Sequence, residues 1–413
     1  MAKDNSGFFK VKKPWSEVKD ELLACYLTPY FQKTLTTRKP VEYIDGFAGR
    51  GEFEDGKPGS PLIAINAARG CVERALTANT DLRLTFVEAQ FGVELERIVK
   101  TAAQICRPVV RHRVVSGRFE RKAPGLVAAM AGRNVFLYID PYGIRDLDYK
   151  LITGFADSER KLNSIELLIN LNSFGFIRAG CRALKVRFED DAALRDVDDE
   201  FADAISQDGA AGAGPVGLLN SIAGGDYWRP IIEALSDRRI DGYEAERRFA
   251  AGYQTQLRQT YRYVLSMPIR LADGQQPKYR MVHATNHPDG CILMADNMMK
   301  RRQNLYTHLA GYGQPALFEQ SVEGDTTDAS AVRAGVDALV QRLSGWTDSR
   351  QVVADFFVTQ GVICKSGDIH KALGQLESEG LIDVLREPAF TPTGKPSRFF
   401  DSGSDHRVQI RQK

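Results

Sequence analysis

The chain has no Cys-x-x-Cys pair: its six cysteines stand apart at positions 25, 71, 106, 181, 291 and 364. That spacing excludes a simple zinc or iron–sulfur motif and predicts reduced thiols in a cytoplasmic protein. No uninterrupted apolar run is long enough to cross a bilayer, and the opening residues, Met-Ala-Lys-Asp-Asn-Ser, form no apolar signal segment. Charge of one sign is scarce as well. Lys+Arg number 55 and Asp+Glu 53, leaving +2 over 413 residues, so any attraction for a polyanion must come from local patches. No carboxylate cluster and no histidine pair with a third ligand supports a metal site or a nuclease or glycosylase. His283 and His287, placed on a strand before Pro288, read as structural. What remains is an ordinary globular composition, 43% hydrophobic and 26% charged, with length for two or three domains.

The most informative stretch is residues 41–51, Val-Glu-Tyr-Ile-Asp-Gly-Phe-Ala-Gly-Arg-Gly. A short apolar run (Val41, Tyr43, Ile44) reads as a buried strand. It ends on Asp45 and enters a turn holding Gly46, Gly49 and Gly51, where the backbone can bend sharply and approach a ligand. Phosphate and dinucleotide loops share that design, so downstream context decides. The Asp-x-Phe-x-Gly-x-Gly spacing, with Phe47 at its centre, resembles the cofactor loop of class I S-adenosylmethionine (SAM) methyltransferases, especially those acting on nucleic acids.

Three later strands supply context. Residues 82–87 alternate and close on Glu88, an acid placed to accept hydrogen bonds from ribose hydroxyls, or simply an exposed strand-end acid. It falls 43 positions after Asp45 (88 − 45), against about 20 in the dinucleotide fingerprint. A long loop at 52–59, before a helix with Ser60 as N-cap and Pro61 first, accounts for the excess. Residues 134–139 form a third buried strand, ending in Asp140-Pro141-Tyr142-Gly143. Amine methylation on a planar base can use such a set. The acid and the proline carbonyl accept from the target nitrogen, and the aromatic stacks on the base. The set resembles the Asp-Pro-Pro-Tyr motif of amino-methyltransferases, but it has no second proline and Gly143 follows the tyrosine; an ordinary strand-to-loop bend is the alternative reading. A fourth strand, 165–172, puts Asn170 and Asn172 on one side, either lining the pocket edge or pinning the next loop. Strands alternating with helices imply an α/β protein with a parallel sheet and ligands at its carboxyl end.

The wider pattern resembles the three-Cys-motif partner proteins (TcmP). It is carried by Tyr43 to Gly49, Gly59-Ser60-Pro61-Leu62, Asp140 to Gly143, Tyr279 to Gly290, and Met294, Asp296 and Met298. The resemblance covers nearly the full chain, least at 185–225. It implies a Rossmann-like SAM-methyltransferase domain, a carboxyl-terminal winged helix, and a separate radical-SAM-like partner carrying three cysteines.

The expected organisation follows. Residues 1–40 are an amino-terminal helical segment, with an amphipathic covering helix at 15–36 (Trp15, Val18, Leu22, Tyr26, Tyr30). The Rossmann-like domain runs over 41–317, with a helical insertion at about 178–250 that contains a Gly/Ala linker at 209–217. Closing strands at 261–271 and 279–295 meet at a turn near Ala272-Asp273-Gly274, a linker occupies 318–330, and a winged helix-turn-helix domain fills 331–413. Ser366, His370 and Lys371 stand near the start of its recognition helix. That last domain holds 11 Lys+Arg and 10 Asp+Glu, so docking a protein partner and reading DNA remain open alternatives. Residues 94–122 are more basic, eight Lys+Arg against three Glu, a net of +5. Residues 261–303 carry seven Lys+Arg against three Asp, a net of +4. Arg111, Arg113, Arg280 and Lys371 are therefore candidate nucleic-acid contacts, with solvated faces as the bland alternative. Together these features predict a SAM-dependent methyltransferase acting on nucleic acid at an exocyclic amine, working with the three-Cys-motif protein. Asp140, Pro141, Tyr142 and Asn172 would face the substrate; Asp45, Gly46, Phe47, Gly49, Gly51 and Glu88 would hold SAM. The alternative is a non-catalytic nucleic-acid-binding subunit of the radical-SAM-like enzyme.

Overall fold

A computed structural model describes residues 12, 14–72, 81–106, 109–157, 161–195, 214–269, 279–312, 327–403 and 405–413. The Trp15 side chain, the 272–274 turn, residues 209–213 of the Gly/Ala stretch and most of the 318–330 linker lie outside the described residues. Two compact units divide the chain: Met1–Arg262 with Met267–Ala284, and Tyr263–Ser266 with Thr285–Lys413.

In the first unit, α1 (Pro14–Thr36) precedes a run of alternating elements: β1 (Val41–Asp45), α2 (Ser60–Val72), β2 (Leu82–Glu88), α3 (Gly92–Ile105), β3 (Arg111–Ser116), α4 (Phe119–Ala128), β4 (Asn134–Ile139), α5 (Tyr149–Gly154) and β5 (Ser164–Leu171). Helices α6 (Ser173–Ala183), α7 (Ala192–Arg195), α8 (Gly214–Ala223), α9 (Arg229–Ser236) and α10 (Gly242–Leu257) form the expected helical insertion. Strands β6 (Tyr263–Ile269) and β7 (Tyr279–Thr285) complete a seven-stranded sheet of order β3-β2-β1-β4-β5-β7-β6. The protein is thus mixed α/β with a mostly parallel sheet, compatible with a Rossmann-like fold; β1 to β5 pair in parallel. Every residue of β1 and β4 is buried, as expected of strands covered on both faces. Helix α1 covers one face through Tyr26, Tyr30 and Phe31, which meet Tyr43 and Phe136 of the sheet, the latter two rings stacked 6.0 Å apart. Each such buried ring contributes about 1.5–3 kcal/mol.

Register sets the positions of the strand ends. Asp45 pairs with Phe86 of β2 and Tyr138 of β4, so Glu88 and Asp140 each stand two residues beyond it on the flanking strands. The chain winds outward one way through β2 and β3 and the other way through β4 and β5. The order therefore reverses between β1 and β4, where a doubly wound sheet opens a crevice at its carboxyl edge.

Strand β3 escapes a pattern search because it is a half-exposed edge strand whose Arg-His-Arg start resembles a charged loop. The second unit corrects a further expectation. Residues 288–295 are not strand: α11 (Pro288–Tyr312) begins there, so His287 precedes a helix. Proline at the first helical position and Asp289 in the first turn are start signals. Cys291, Met294, Ala295 and Met298, all buried, then recur at helical spacing. The unit continues through α12 (Ala329–Val340), β8 (Thr347–Asp348), α13 (Ser349–Gln360), α14 (Ser366–Ser378), β9 (Ile382–Glu387) and β10 (Arg407–Gln412). Asp328 and Asp348 cap α12 and α13, and Gly380, at φ +73°, follows α14. β8 and β9 flank β10 in an antiparallel sheet, of which only β9 was foreseen. Helix α11 packs with α13 and α14 in this unit, so the compact division falls before α11 rather than at 318.

Candidate functional site at the carboxyl edge of the sheet

The glycine loop is stitched to both neighbouring strands. The Gly46 amide donates to Tyr138 O (2.9 Å), Ala48 to Val87 O (3.1 Å) and Gly49 to Glu88 Oε2 (2.8 Å). Gly49 and Gly51 take φ of +62° and +89°, where a side chain would be strained. At Gly46 a Cβ would stand 2.7 Å from the Phe119 ring. The loop then runs through residues 52–58, closed by a Glu52–Pro58 bridge and a Phe53 N to Lys57 O bond of 2.9 Å. Helix α2 starts at Ser60 itself, so Ser60 is its first residue rather than its cap.

Two cavities flank this loop. One, about 750 Å³, is lined by Phe47, Gly49, Gly51, Ser60, Asp140, Pro141, Tyr142, Asn170 and Asn172, together with Ser16, Lys19 and Asp20 of α1. The other, about 690 Å³, is lined by Gly46, Phe47, Glu88, Gln90, Phe91, Phe119, Tyr142 and Asp146 among others. Phe47 and Tyr142 face both.

Asp140 accepts from three side chains. Oδ2 accepts from the Lys19 ammonium and, at 3.2 Å, from Tyr138; Oδ1 accepts from Asn170 Nδ2 at 2.7 Å. Lys19 was not foreseen, because a lysine on a helix gives no signal of which acid it meets 121 residues later. Helix α1 is accordingly more than a cover, since its first turns wall the cavity. Lys12 Nζ lies 2.7 Å from Asp20 and donates to Pro58 O at 2.7 Å, while the Lys12 amide donates to Asp55 Oδ2 at 3.1 Å. Lys57 pairs with Glu17, so α1 and the chain before it clasp the 52–58 loop.

The electrostatics are those of acids crowded away from water. Burial pushes Asp45 up to about 7, raised further by Asp140 and Asp20 and opposed by the Ser60 hydroxyl and the Phe47 amide. Oδ1 takes the Phe47 amide at 3.1 Å, whereas Oδ2 is buried with no partner in hydrogen-bonding geometry, Ser60 included. Burial also raises Asp20, against Lys19 and Lys12. Burial works to lower Lys19, but Asp140 and Asp20 outweigh it and hold the ammonium above its ordinary value.

Several expected residues sit differently from their expected roles. Asp45 lines neither cavity; it lies fully buried beneath the loop and shapes it. Glu88 does line the second cavity, with Oε2 on Gly49 and Oε1 on the amides of Gln90 (2.7 Å) and Phe91 (3.2 Å). Asn172 caps α6, accepting from the Gly175 amide at 2.8 Å, while Asn170 holds Asp140, so the pair both pin a loop and line the pocket. The basic candidates are mostly committed elsewhere. Arg113 donates to Thr85 (2.7 Å) and Glu42 (3.4 Å). Arg280 grips Glu246 with two nitrogens, and Ser173 donates to the same carboxylate at 2.6 Å. Arg111 reaches Asp81 at 3.1 Å, and the exposed Lys371 reaches Asp368 at 3.0 Å. At the start of α14, Ser366 donates through its amide (2.7 Å) and hydroxyl (2.6 Å) to Asp296 of α11, and His370 stacks on Phe400. His283 is buried against Glu166 at 3.1 Å, beside Tyr26, consistent with a structural histidine. No group of His, Cys, Asp and Glu able to hold a metal occurs among the described residues, and none of their helices is long and apolar enough to cross a membrane. No family model matches the chain, and no curated protein matches it.

Proposed function

We propose that this chain is a SAM-dependent methyltransferase acting on nucleic acid at an exocyclic amine, in company with a three-Cys-motif, radical-SAM-like protein. The observation that carries the reading is the pair of cavities on either side of one glycine loop, at the point where the strand order reverses. Their linings suit the two ends of SAM. Phe91, Phe119 and the Glu88 carboxylate offer stacking surfaces and an acceptor to a nucleoside. Lys19, Asp20, Ser16 and Ser60 offer both charge signs to a zwitterionic amino acid. Bound SAM supplies a methyl group on an electrophilic sulfonium.

The chain's own contribution is placement and polarity. Asp140 Oδ1 and the Pro141 carbonyl accept N–H bonds that orient the amine's lone pair toward the methyl donor, and Tyr142 stacks on the extruded base. From α12 onward the carboxyl-terminal unit runs helix, strand, helix, helix, strand, strand, which supports a winged helix. Because Asp296 covers the amino end of α14, the docking role is favoured over DNA reading for that unit. One observation favours the non-catalytic alternative: Lys19 already sits on Asp140, as it would in a site that has lost its chemistry. Transfer of labelled methyl from SAM to RNA and DNA pools, with and without the partner, separates the two. SAM binding without transfer under every condition would establish the scaffold, and no SAM binding would remove both cofactor and reaction.

A further inference from the structure

We propose that Lys19 and Asn170 are positioning residues that leave Asp140 a single open acceptor site, on Oδ1, for the methyl-accepting group. This rests on the methyltransferase reading above. A carboxylate oxygen has two lone-pair positions. On Oδ2 both are taken, by the Lys19 ammonium and the Tyr138 hydroxyl; on Oδ1 one is taken, by Asn170 Nδ2. One position remains, on the wall shared with Pro141 and Tyr142. The three donors come from different elements, α1, β4 and β5, so turning the carboxylate to offer Oδ2 instead would break all three hydrogen bonds.

The same arrangement fixes charge. Asp140 is faced by Lys19 and Asp20 from α1, Tyr43 and Asp45 from β1, Tyr138 from β4, Asn170 from β5, and Tyr142 from its own loop. Among these Lys19 is the cation, set against two further acids. Without it, the Asp140 carboxylate would face Asp20 and Asp45 with no cation beside it. The ammonium on Asp140 is then part of the working site and not the mark of a retired one.

The test uses the full chain with Lys19→Gln, Lys19→Arg and Asn170→Ala. Lys19→Gln should slow single-turnover transfer tenfold or more. Lys19→Arg, which keeps the cation, should restore most of that rate. Asn170→Ala should slow transfer at every pH, and it keeps the proposal exposed if Lys19→Gln does not fold. A readout independent of activity is the crystal structure of Lys19→Gln, in which the Asp140 carboxylate should turn from its wild-type orientation. Wild-type rates in Lys19→Gln or in Asn170→Ala, or a carboxylate that does not turn, would overturn the proposal. A wild-type chain that transfers nothing, yet shows that Lys19-dependent turn, would sink the methyltransferase reading and leave the placement of Asp140 standing.

Discussion

Glu42 and Asp45 stand three residues apart on β1, and both are wholly inaccessible to solvent. Their surroundings differ. Glu42 accepts from Thr85 at 2.5 Å and is faced by Arg113 at 3.4 Å and Arg133 at 3.8 Å, cations set beside the middle of the strand. Burial raises its pKa, but Thr85 and three arginines oppose the rise. Asp45, at the strand's end, is opposed only by the Phe47 amide and the Ser60 hydroxyl, while the nearby lysines serve Asp140 and Asp20. Carboxylates inside the sheet are matched in place by the strands around them. At its carboxyl edge Asp140 depends on Lys19 of α1, Glu88 on loop amides, and Asp45 is left short. The difference separates charges that hold the fold from charges kept available to a ligand.

The sharpest way to break this division is Arg280, foreseen as a nucleic-acid contact but engaged with Glu246, which is 2% exposed. Arg280→Met should cost about 3–5 kcal/mol in urea unfolding by leaving a buried carboxylate short of its cation. Unchanged stability with weakened nucleic-acid binding would move Arg280 to the functional side. Next is Asp140→Asn, expected to slow single-turnover transfer roughly a hundredfold. Because Asp140 partners Lys19, a lower Tm should accompany that loss; a rate equal to wild type would make the acid purely structural.

Smaller effects probe the loop. Glu88→Ala removes the acceptor for three backbone amides, Gly49, Gln90 and Phe91, and should weaken SAM binding by about 1–3 kcal/mol in calorimetry. Retained affinity would take Glu88 out of the cofactor site. The mildest change is Asp45→Asn. With a native pKa of about 7 against an ordinary 3.8, folded Asp45 keeps a proton that the unfolded chain has released. Stability from this group is complete below pH ~4 and lost as pH rises toward ~7. Urea midpoints measured across that window should decline in the wild type and flatten in Asp45→Asn; parallel slopes would mean that Asp45 is already ionised.

Much of the sheet was legible because its central strands are buried on both faces and end on acids: β1, β2, β4 and β5 fall within a residue or so of their expected places. Burial on both sides writes an unbroken apolar run into the sequence, and a half-exposed edge such as β3 does not. The β7-to-α11 switch went unread because Met281, Val282, Met294 and Met298 are apolar in either conformation, and the Pro288 start signal fell inside the stretch read as strand. Within the site, strand-end acids and glycines could be named, but not their partners. Lys19–Asp140 and Arg280–Glu246 join residues 121 and 34 positions apart, and a charge in a sequence carries no address.

Lys12 also ties down a loop beside the first cavity. Its amide holds Asp55 and its ammonium holds the Pro58 carbonyl, while Lys57 ties the same loop to Glu17. The Gly59 amide closes the loop's base on Gly51 O at 2.9 Å. A molecule that displaces the loop on entering beside Gly51 and Phe53 would wait for that clasp to part. At about 1 kcal/mol for each of three contacts, the parted form is on the order of one molecule in a hundred. Entry by that route would be gated, with an association rate that stops rising at high ligand concentration and whose plateau rises in Lys12→Met, which removes one of the three contacts, an outcome stopped-flow fluorescence would register directly.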